Sequence, residues 1–227
     1  MTEANVFQNE YGRYSVPEGL DARPAVRLVK SGEVYEPQTI AFMRDQVGQG
    51  DIIHAGTFFG DFLPGLSSAM AEGSRIWAFE PNPVSHQHAT ETIALNGLTN
   101  VTLTNAALSD RNGSIHFRTH KEDGEALGGH SHFVEGPGAG VEEVRALMLD
   151  YVVPLDRPVS ILQLDVEGHE GEALLGAYHI INRWKPIIIL EEFDRPRWLK
   201  RNFPRVNYDR VSRVHGNLVY LPEGREL

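Results

Sequence analysis

The chain reads first as an alternation. Short apolar runs stand at Asp51–Ala55 (DIIHA), Arg75–Glu80 (RIWAFE), Val101–Ala107, Val159–Val166 (VSILQLDV) and Pro186–Glu191 (PIIILE). Runs of this length, set between Gly, Pro, Asn and Asp, predict strands, and those that are apolar throughout predict burial on both faces. The intervening segments carry apolar residues at helical spacing. Pro37 suits the first position of a helix whose stripe is Ile40, Phe42, Met43 and Val47, with Gly48 or Gly50 as its stop. Further helices are predicted at Phe62–Ala71, with Pro64 in the first turn, and at Pro83–Asn96, ended by Gly97. Another spans Glu170–Trp184, with Ala173, Leu174, Ala177, Ile180 and Ile181 on one side. A local strand, SIHFRTH, follows Gly113, and the late segments YDRVSRV and NLVYLP, joined by His215-Gly216, predict a hairpin.

Strands alternating with helices predict an α/β fold. The expected architecture is a mostly parallel seven-stranded sheet with helices on both faces and an antiparallel last strand. Residues 1–35 are polar and punctuated by Pro17, Gly19, Pro24 and Gly32. They are expected to form an irregular arm with one short strand at Ala25–Lys30, and residues 36–227 a single domain. Residues 119–140, THKEDGEALGGHSHFVEGPGAG, interrupt the pattern as an inserted loop. Long loops in compact domains are usually functional or disordered. His120, His130 and His132 raise the idea of a metal, but a mobile lid or substrate loop is the preferred reading.

Composition narrows the function. The 227 residues include 21 Lys plus Arg against 31 Asp plus Glu, a formal charge of −10. An acidic surface argues against a nucleic-acid partner, which requires cations to displace counterions. The basic stretch RPRWLKR at 195–201 is read as a solvated surface segment. The absence of cysteine excludes disulfides, thiolate nucleophiles and Cys-type zinc sites, and is compatible with the cytoplasmic location expected here. No apolar run approaches membrane-spanning length, and the first residues lack the basic and apolar regions of a signal peptide. An oligomer is left open.

In doubly wound sheets, ligands bind beyond the carboxyl ends of the strands, so the residues just after each strand carry the chemistry. The first strand runs into HAGTFFGD, where Gly56 and Gly60 suit a tight turn and a helix start whose amides can meet an anion. Gly-x-x-x-Gly alone also fits a plain strand–helix connection. The second strand ends in FEPNP. Glu80 stands twenty residues beyond Gly60, as a carboxylate that accepts from ribose hydroxyls would, with Pro81, Asn82 and Pro83 shaping the turn. After the third strand, Asn105 and Asp110 offer polar groups, and Ala106 and Ala107 leave room for an adenine ring. After the fourth comes LDVEGHE. Asp165 ends an apolar strand and needs a partner, whereas Glu167 and Glu170 also suit a helix start. His169 has the intrinsic pKa of a general base near neutrality. Glu191 and Glu192 follow the fifth strand, one expected to face the crevice and the other away.

The ordered blocks AFEPNP, LNGLTNVTLTNAALSD, LDVEGHE and PIIILEE together resemble the FkbM family of S-adenosylmethionine-dependent methyltransferases, from about Tyr35 to about Glu192. GNLVYLP near the end is a weaker echo. The resemblance implies a Rossmann-like class I methyltransferase sandwich and methyl transfer, usually to a hydroxyl of a sugar, glycolipid or natural product. It implies S-adenosylmethionine as cofactor and a small-molecule or glycan acceptor as partner. Gly56 and Gly60, with Thr57, Phe58 and Asp61 between and beside them, resemble the loop that holds the methionine half. Glu80, with Pro81 and Asn82, resembles the ribose site, while Asn105, Ala106 and Ala107 resemble the adenine side. Asp165 resembles the acid near the sulfonium and acceptor. Glu36, in YEP, is the candidate for the cofactor's ammonium.

The first loop departs from the family's usual DVGANIG. His54 stands where an acid is usual, and is expected beside the methionine end without its charge. Phe58 and Phe59 are expected to divide between core and site. His169 is the first candidate base and Asp165 the second. A magnesium ion on Asp165, Glu191 and Glu192 is an alternative that is not favoured, and no metal ligand is assigned. Two rivals stay open at this point: a nicotinamide-dependent oxidoreductase using the same glycine loop, and a non-catalytic nucleoside-binding protein of the same fold.

Overall fold

The computed structural model describes residues 5–191 and 193–227, so Glu192 lies outside the described residues. The chain opens with a hairpin, β1 (Val6–Asn9) and β2 (Gly12–Ser15), followed by α1 (Pro24–Lys30) and α2 (Pro37–Gln46). The first half of the main sheet is β3 (Asp51–Ala55), α3 (Leu63–Ser67), β4 (Ile76–Phe79), α4 (Pro83–Asn96) and β5 (Val101–Thr104). A rim follows: β6 (Ala107–Leu108), β7 (Gly113–Arg118), β8 (His132–Val134), β9 (Val141–Leu147) and α5 (Leu149–Val152). The chain returns through β10 (Val159–Leu164), α6 (Glu170–Leu175), α7 (Tyr178–Trp184), β11 (Ile187–Leu190), α8 (Pro196–Asn202), β12 (Asp209–Val214) and β13 (Asn217–Leu221).

Seven strands pair in the order β12-β13-β11-β10-β3-β4-β5. Only β13, the last, runs antiparallel, against both β11 and β12. From β3 the chain winds outward through β4 and β5, and from β10 outward through β11. The switch point therefore falls between β3 and β10, where a crevice opens beyond the carboxyl ends.

Side-chain alternation builds the two layers. Ile52, Ile161, Ile187 and Ile189 pack with Ile40 and Met43 of α2 and Leu63 and Leu66 of the α3 region on one face. Their neighbours Ile53, Leu162, Ile188 and Leu190 pack with α6, α7 and α8 on the other. This explains the unbroken apolar strands: both faces are covered. Among the described residues no helix is long and apolar enough to cross a membrane.

The structure corrects four local readings. Ala25–Lys30 is not a strand but part of α1, with Pro24 in its first turn and Ala25, Val26 and Val29 buried, a helical rather than alternating spacing. The helix expected across Glu170–Trp184 is two helices, broken where Ala177 leaves the helical backbone at φ −107° and ψ 19°; beside it Gly176 passes so close to the carbonyl of Ser109 that no Cβ would fit. Val101–Ala107 is likewise split: β5 ends at Thr104, and Ala107 starts β6 in a separate sheet. That sheet has the order β6-β9-β7-β8, and its strand β9 carried no expectation. Residues 119–140 supply β8 to it, so much of the expected loop is folded.

The amino end of β3 is tied by one buried acid. Asp51 accepts from the backbone of Arg75 (2.8 Å), from Trp77 Nε1 (2.7 Å) and from both Arg157 Nε and Nη2 (2.6 and 2.8 Å). Removing one partner of such a pair strands the others. Asp51→Ala is expected to lower unfolding free energy by about 3 kcal/mol, as read by urea denaturation; an unchanged midpoint would show the knot to be dispensable.

Candidate active site

The glycine loop leaves β3 in a conformation few residues tolerate. Gly56 has φ +81°, and a Cβ there would run into the carbonyl of Asp165 at the end of the neighbouring strand. Its amide and that of Thr57 both donate to the carbonyl of Phe79 (3.1 and 3.2 Å), which folds the loop over β4. Phe58 is left-handed too, at φ +50°. Its amide then points at Glu80, donating to Oε2 at 2.7 Å, while the amide of Asn82 donates to Oε1 at 2.8 Å. Glu80 is 6% exposed, and burial pushes its carboxyl up to about 8, against the pull of those two amides.

A cleft of about 1170 Å³, open solvent at its mouth included, lies over these strand ends. It brings together Glu36, His54, Gly56, Phe58, Asp61, Glu80, Pro81, Ala106, Ala107, Asp165 and His169 of the expected residues. Four others support the cleft without lining it. Thr57 donates through Oγ1 to the carbonyl of His54 (3.2 Å), and Gly60 turns the loop at φ +82°. Asn82 caps α4 by accepting from the amides of Val84 and Ser85 (3.0 and 3.2 Å). Asn105 stands outside the lining of the cleft; its amide nitrogen donates to the carbonyls of Glu80 and Pro81 (2.7 and 3.1 Å) and so braces the turn after β4. Asp110 is exposed and does not line the cleft; its Oδ1 accepts from Ser109 Oγ at 3.3 Å.

His54 lines the cleft, 2% exposed, stacked on Phe62 at 5.3 Å. Its Nδ1 bonds Gln163 Oε1, its registered neighbour on β10, and its Nε2 has no partner among the described residues. Burial lowers its pKa to about 4, so it is neutral. An Nδ1–H donating to the Gln163 carbonyl leaves a bare acceptor lone pair at Nε2. Negative charge comes from elsewhere. Glu36, left-handed at the start of α2, is fixed by Thr39 Oγ1 (2.8 Å) and Asn217 Nδ2 (2.6 Å), both donating to Oε2. Asp61 is 8% exposed, and burial raises its pKa to about 7.

The carboxylates of Asp165, Glu167 and Glu191 each bring an oxygen within 4.8 Å of the others. Burial, then the hydrogen bond and charge of Glu191, raise the pKa of Asp165. His169 stands at the entrance to α6, its Nε2 3.2 Å from Ser109 Oγ and its Nδ1 3.7 Å from Glu172, beyond hydrogen-bond reach. Its ring stacks on Phe133 at 4.9 Å. Phe58 and Phe59 divide between site and core as expected: both pack with Tyr14, Val16, Val26 and Val29 of the N-terminal region, Phe59 wholly buried there, and Phe58 also lines the cleft.

From the segment read as a lid or substrate loop, Gly128, Gly129, His130 and Ser131 reach the cleft, anchored where Asn82 Nδ2 donates to Ser131 Oγ at 3.1 Å. Other walls were missed. Gln163 and Asn217 carry no local motif; only strand pairing places them.

The family comparison agrees with this geometry. The family model for the methyltransferase FkbM domain matches residues 46–208. The chain belongs to that family, and its fold is the mixed seven-stranded α/β sheet of class I methyltransferases. Membership implies S-adenosylmethionine as cofactor. Among solved structures, the chain is similar to methyltransferase FkbM from Methylobacillus flagellatus KT, with 15% identity and a TM-score of 0.52 over 76% of this chain. It spans only 43% of that protein's length. A SAM-dependent methyltransferase from Aquifex aeolicus aligns at 16% identity and a TM-score of 0.48, covering 90% of this chain and 94% of that one. No curated protein matches the sequence.

The loop geometry makes one residue testable on stability alone. Gly56→Ala is expected to cost at least about 2 kcal/mol, from the strained φ and the blocked carbonyl together. Thermal unfolding measures it, with Gly73→Ala, also left-handed but facing open space, as the control for φ alone.

Proposed function

We propose that this chain transfers the methyl group of S-adenosylmethionine to a hydroxyl of a small molecule or glycan, with Glu80 as the ribose-binding acid. The observation that carries the reading is the Glu80 carboxylate, held at the mouth of β4 by the amides of Phe58 and Asn82. Each of its oxygens keeps a lone pair for a vicinal hydroxyl. The donor set also fits the cofactor's charge. Glu36 and Asp61 line the cleft on the side of α2 and α3, suited to an ammonium, and the Nε2 of His54 offers an acceptor where the family has an acid. Ala106 and Ala107 leave a flat apolar wall for a base.

The bound cofactor supplies an activated methyl on sulfur, so the protein's task is position, dryness and one proton. Both candidate bases line the cleft. Asp165 shares a hydrogen bond with Glu191 and its pKa is raised by burial and by that neighbour, so it accepts the acceptor's proton only once a bound cation has ionised it. His169 stands at the α6 entrance, its Nε2 beside Ser109 Oγ and its ring on Phe133. The segment 128–133 roofs the cleft and keeps water out.

Isothermal titration with S-adenosylhomocysteine tests the reading. Glu80→Gln is expected to weaken binding about 30-fold, the loss of a charge-assisted pair of hydrogen bonds. Stabilisation by a nicotinamide dinucleotide, but not by S-adenosylmethionine or S-adenosylhomocysteine, would overturn it.

The pH dependence has a definite sign. Ribose hydroxyls favour the ionised form of Glu80, so binding lowers its pKa from about 8 and releases a proton. Affinity for S-adenosylhomocysteine should rise from pH 6, by up to about tenfold per unit for each proton released, and level off above about pH 8. The enthalpy should vary with the buffer's ionisation heat, and flat affinity would mean Glu80 is already ionised.

A further inference from the structure

His54 and Gln163 stand side by side on the two central strands. His54 pairs in register with Gln163 on β10 and with Ala78 on β4. Gln163 pairs in register with His54 and with Ile189 on β11. Each is therefore the other's one polar side chain across the ladder. Two residues earlier, Ile52 and Ile161 point to the same face and pack into the layer beneath α2 and α3. The pair caps that apolar layer where it meets the cleft, which both residues line.

The carboxamide decides what the ring presents. Gln163 Oε1 has no proton to give, so the hydrogen between it and Nδ1 belongs to the ring. A neutral imidazole carries one N–H, which leaves Nε2 as an acceptor. Stacking on Phe62, with 11° between the ring planes, holds the ring in that orientation. Nε2 is buried and has no partner among the described residues, and the isoleucines beneath it have no hydrogen to donate. A buried acceptor in this position calls for a donor from whatever fills the cleft.

We propose that Gln163 is a positioning residue of the cofactor site: by fixing the tautomer of His54 it reserves Nε2 for one N–H of the cofactor's ammonium. This rests on the methyltransferase reading above. An ammonium brings three donors and no acceptor. Glu36, Asp61 and His54 supply acceptors from the α2 and α3 side of the cleft. The opposite tautomer would turn an N–H toward the cation and oppose its binding. An acid in place of His54, usual in the family, would set a third charge near Glu36 and Asp61. Asp61, already raised by burial and then by the charge of Glu36, would be driven further toward its protonated form. The histidine–glutamine pair thus adds an acceptor without adding a charge.

The test compares S-adenosylhomocysteine with methylthioadenosine, which lacks the amino-acid end, on the whole chain. Long-range nitrogen–proton NMR of His54 in the wild-type protein is expected to show the proton on Nδ1. The Nε2 resonance should move when S-adenosylhomocysteine binds and stay in place with methylthioadenosine. Gln163→Met, close in length but without the amide, should weaken S-adenosylhomocysteine about fivefold by calorimetry and leave methylthioadenosine within about twofold. The proposal is overturned by a proton on Nε2, or by an Nε2 resonance that ignores S-adenosylhomocysteine or answers both ligands alike. It is equally overturned if Gln163→Met weakens both ligands to the same degree, which would mark Gln163 as merely structural, or weakens neither. The spectra are read on the wild-type chain, so they decide the matter even where the variant fails to fold. Failure of the wild-type chain to bind S-adenosylhomocysteine at all would instead overturn the cofactor reading, and is measured first.

Discussion

The carboxylate of Glu80 takes one backbone amide on each oxygen, one from the glycine loop and one from the turn after β4. Burial alone would make that carboxylate expensive, and its two amides offset part of the cost. In return it fixes both loops at once. Phe58 reaches it only because the backbone turns left-handed there, and that turn requires Gly56 to slip past Asp165 without a side chain. Asn82 reaches it from the cap of α4, and Asn82 in turn holds Ser131 of the roof. Loop, helix and roof thus share one anchor.

Around this anchor the cleft distributes charge unusually. The end of β3, where an acid is usual in the family, carries a neutral histidine locked to Gln163. The carboxylates sit instead on α2, on the helix-ward end of the glycine loop, and beyond β10 and β11. Three of them, Asp61, Glu80 and Asp165, have pKa values raised chiefly by burial. A cleft of partly protonated acids is poised for a cation: arrival of positive charge is coupled to loss of protons.

The main sheet was legible because it obeys local rules. Continuous apolar strands, Pro83 and Gly97 at the two ends of α4, and the His215-Gly216 turn all act within a few residues. Glu80 was legible for the same reason, since a strand end followed by Pro-Asn-Pro is a local signal. What failed was governed from a distance. The break between α6 and α7 falls at Ala177, beside a glycine that only the distant carbonyl of Ser109 makes necessary. The bonds of Asn105 to two carbonyls of the β4 turn join residues 24 and 25 apart, which no local pattern announces. Gln163 and Asn217 matter through strand register, which no single run encodes. α1 was misread because its seven residues carry too short an apolar spacing to separate helix from strand.

The packing of Phe58 and Phe59 against the N-terminal region has a consequence for how the molecule is made. Tyr14, Val16, Leu20, Val26 and Val29 form their cluster with these two rings, and β2 is further tied to α4 by Ser15 and Arg13. The first thirty residues leave the ribosome before either partner exists. Their apolar face is covered only by residues supplied much later in the chain, so the segment has no packed form of its own and the back of the glycine loop no cover without it.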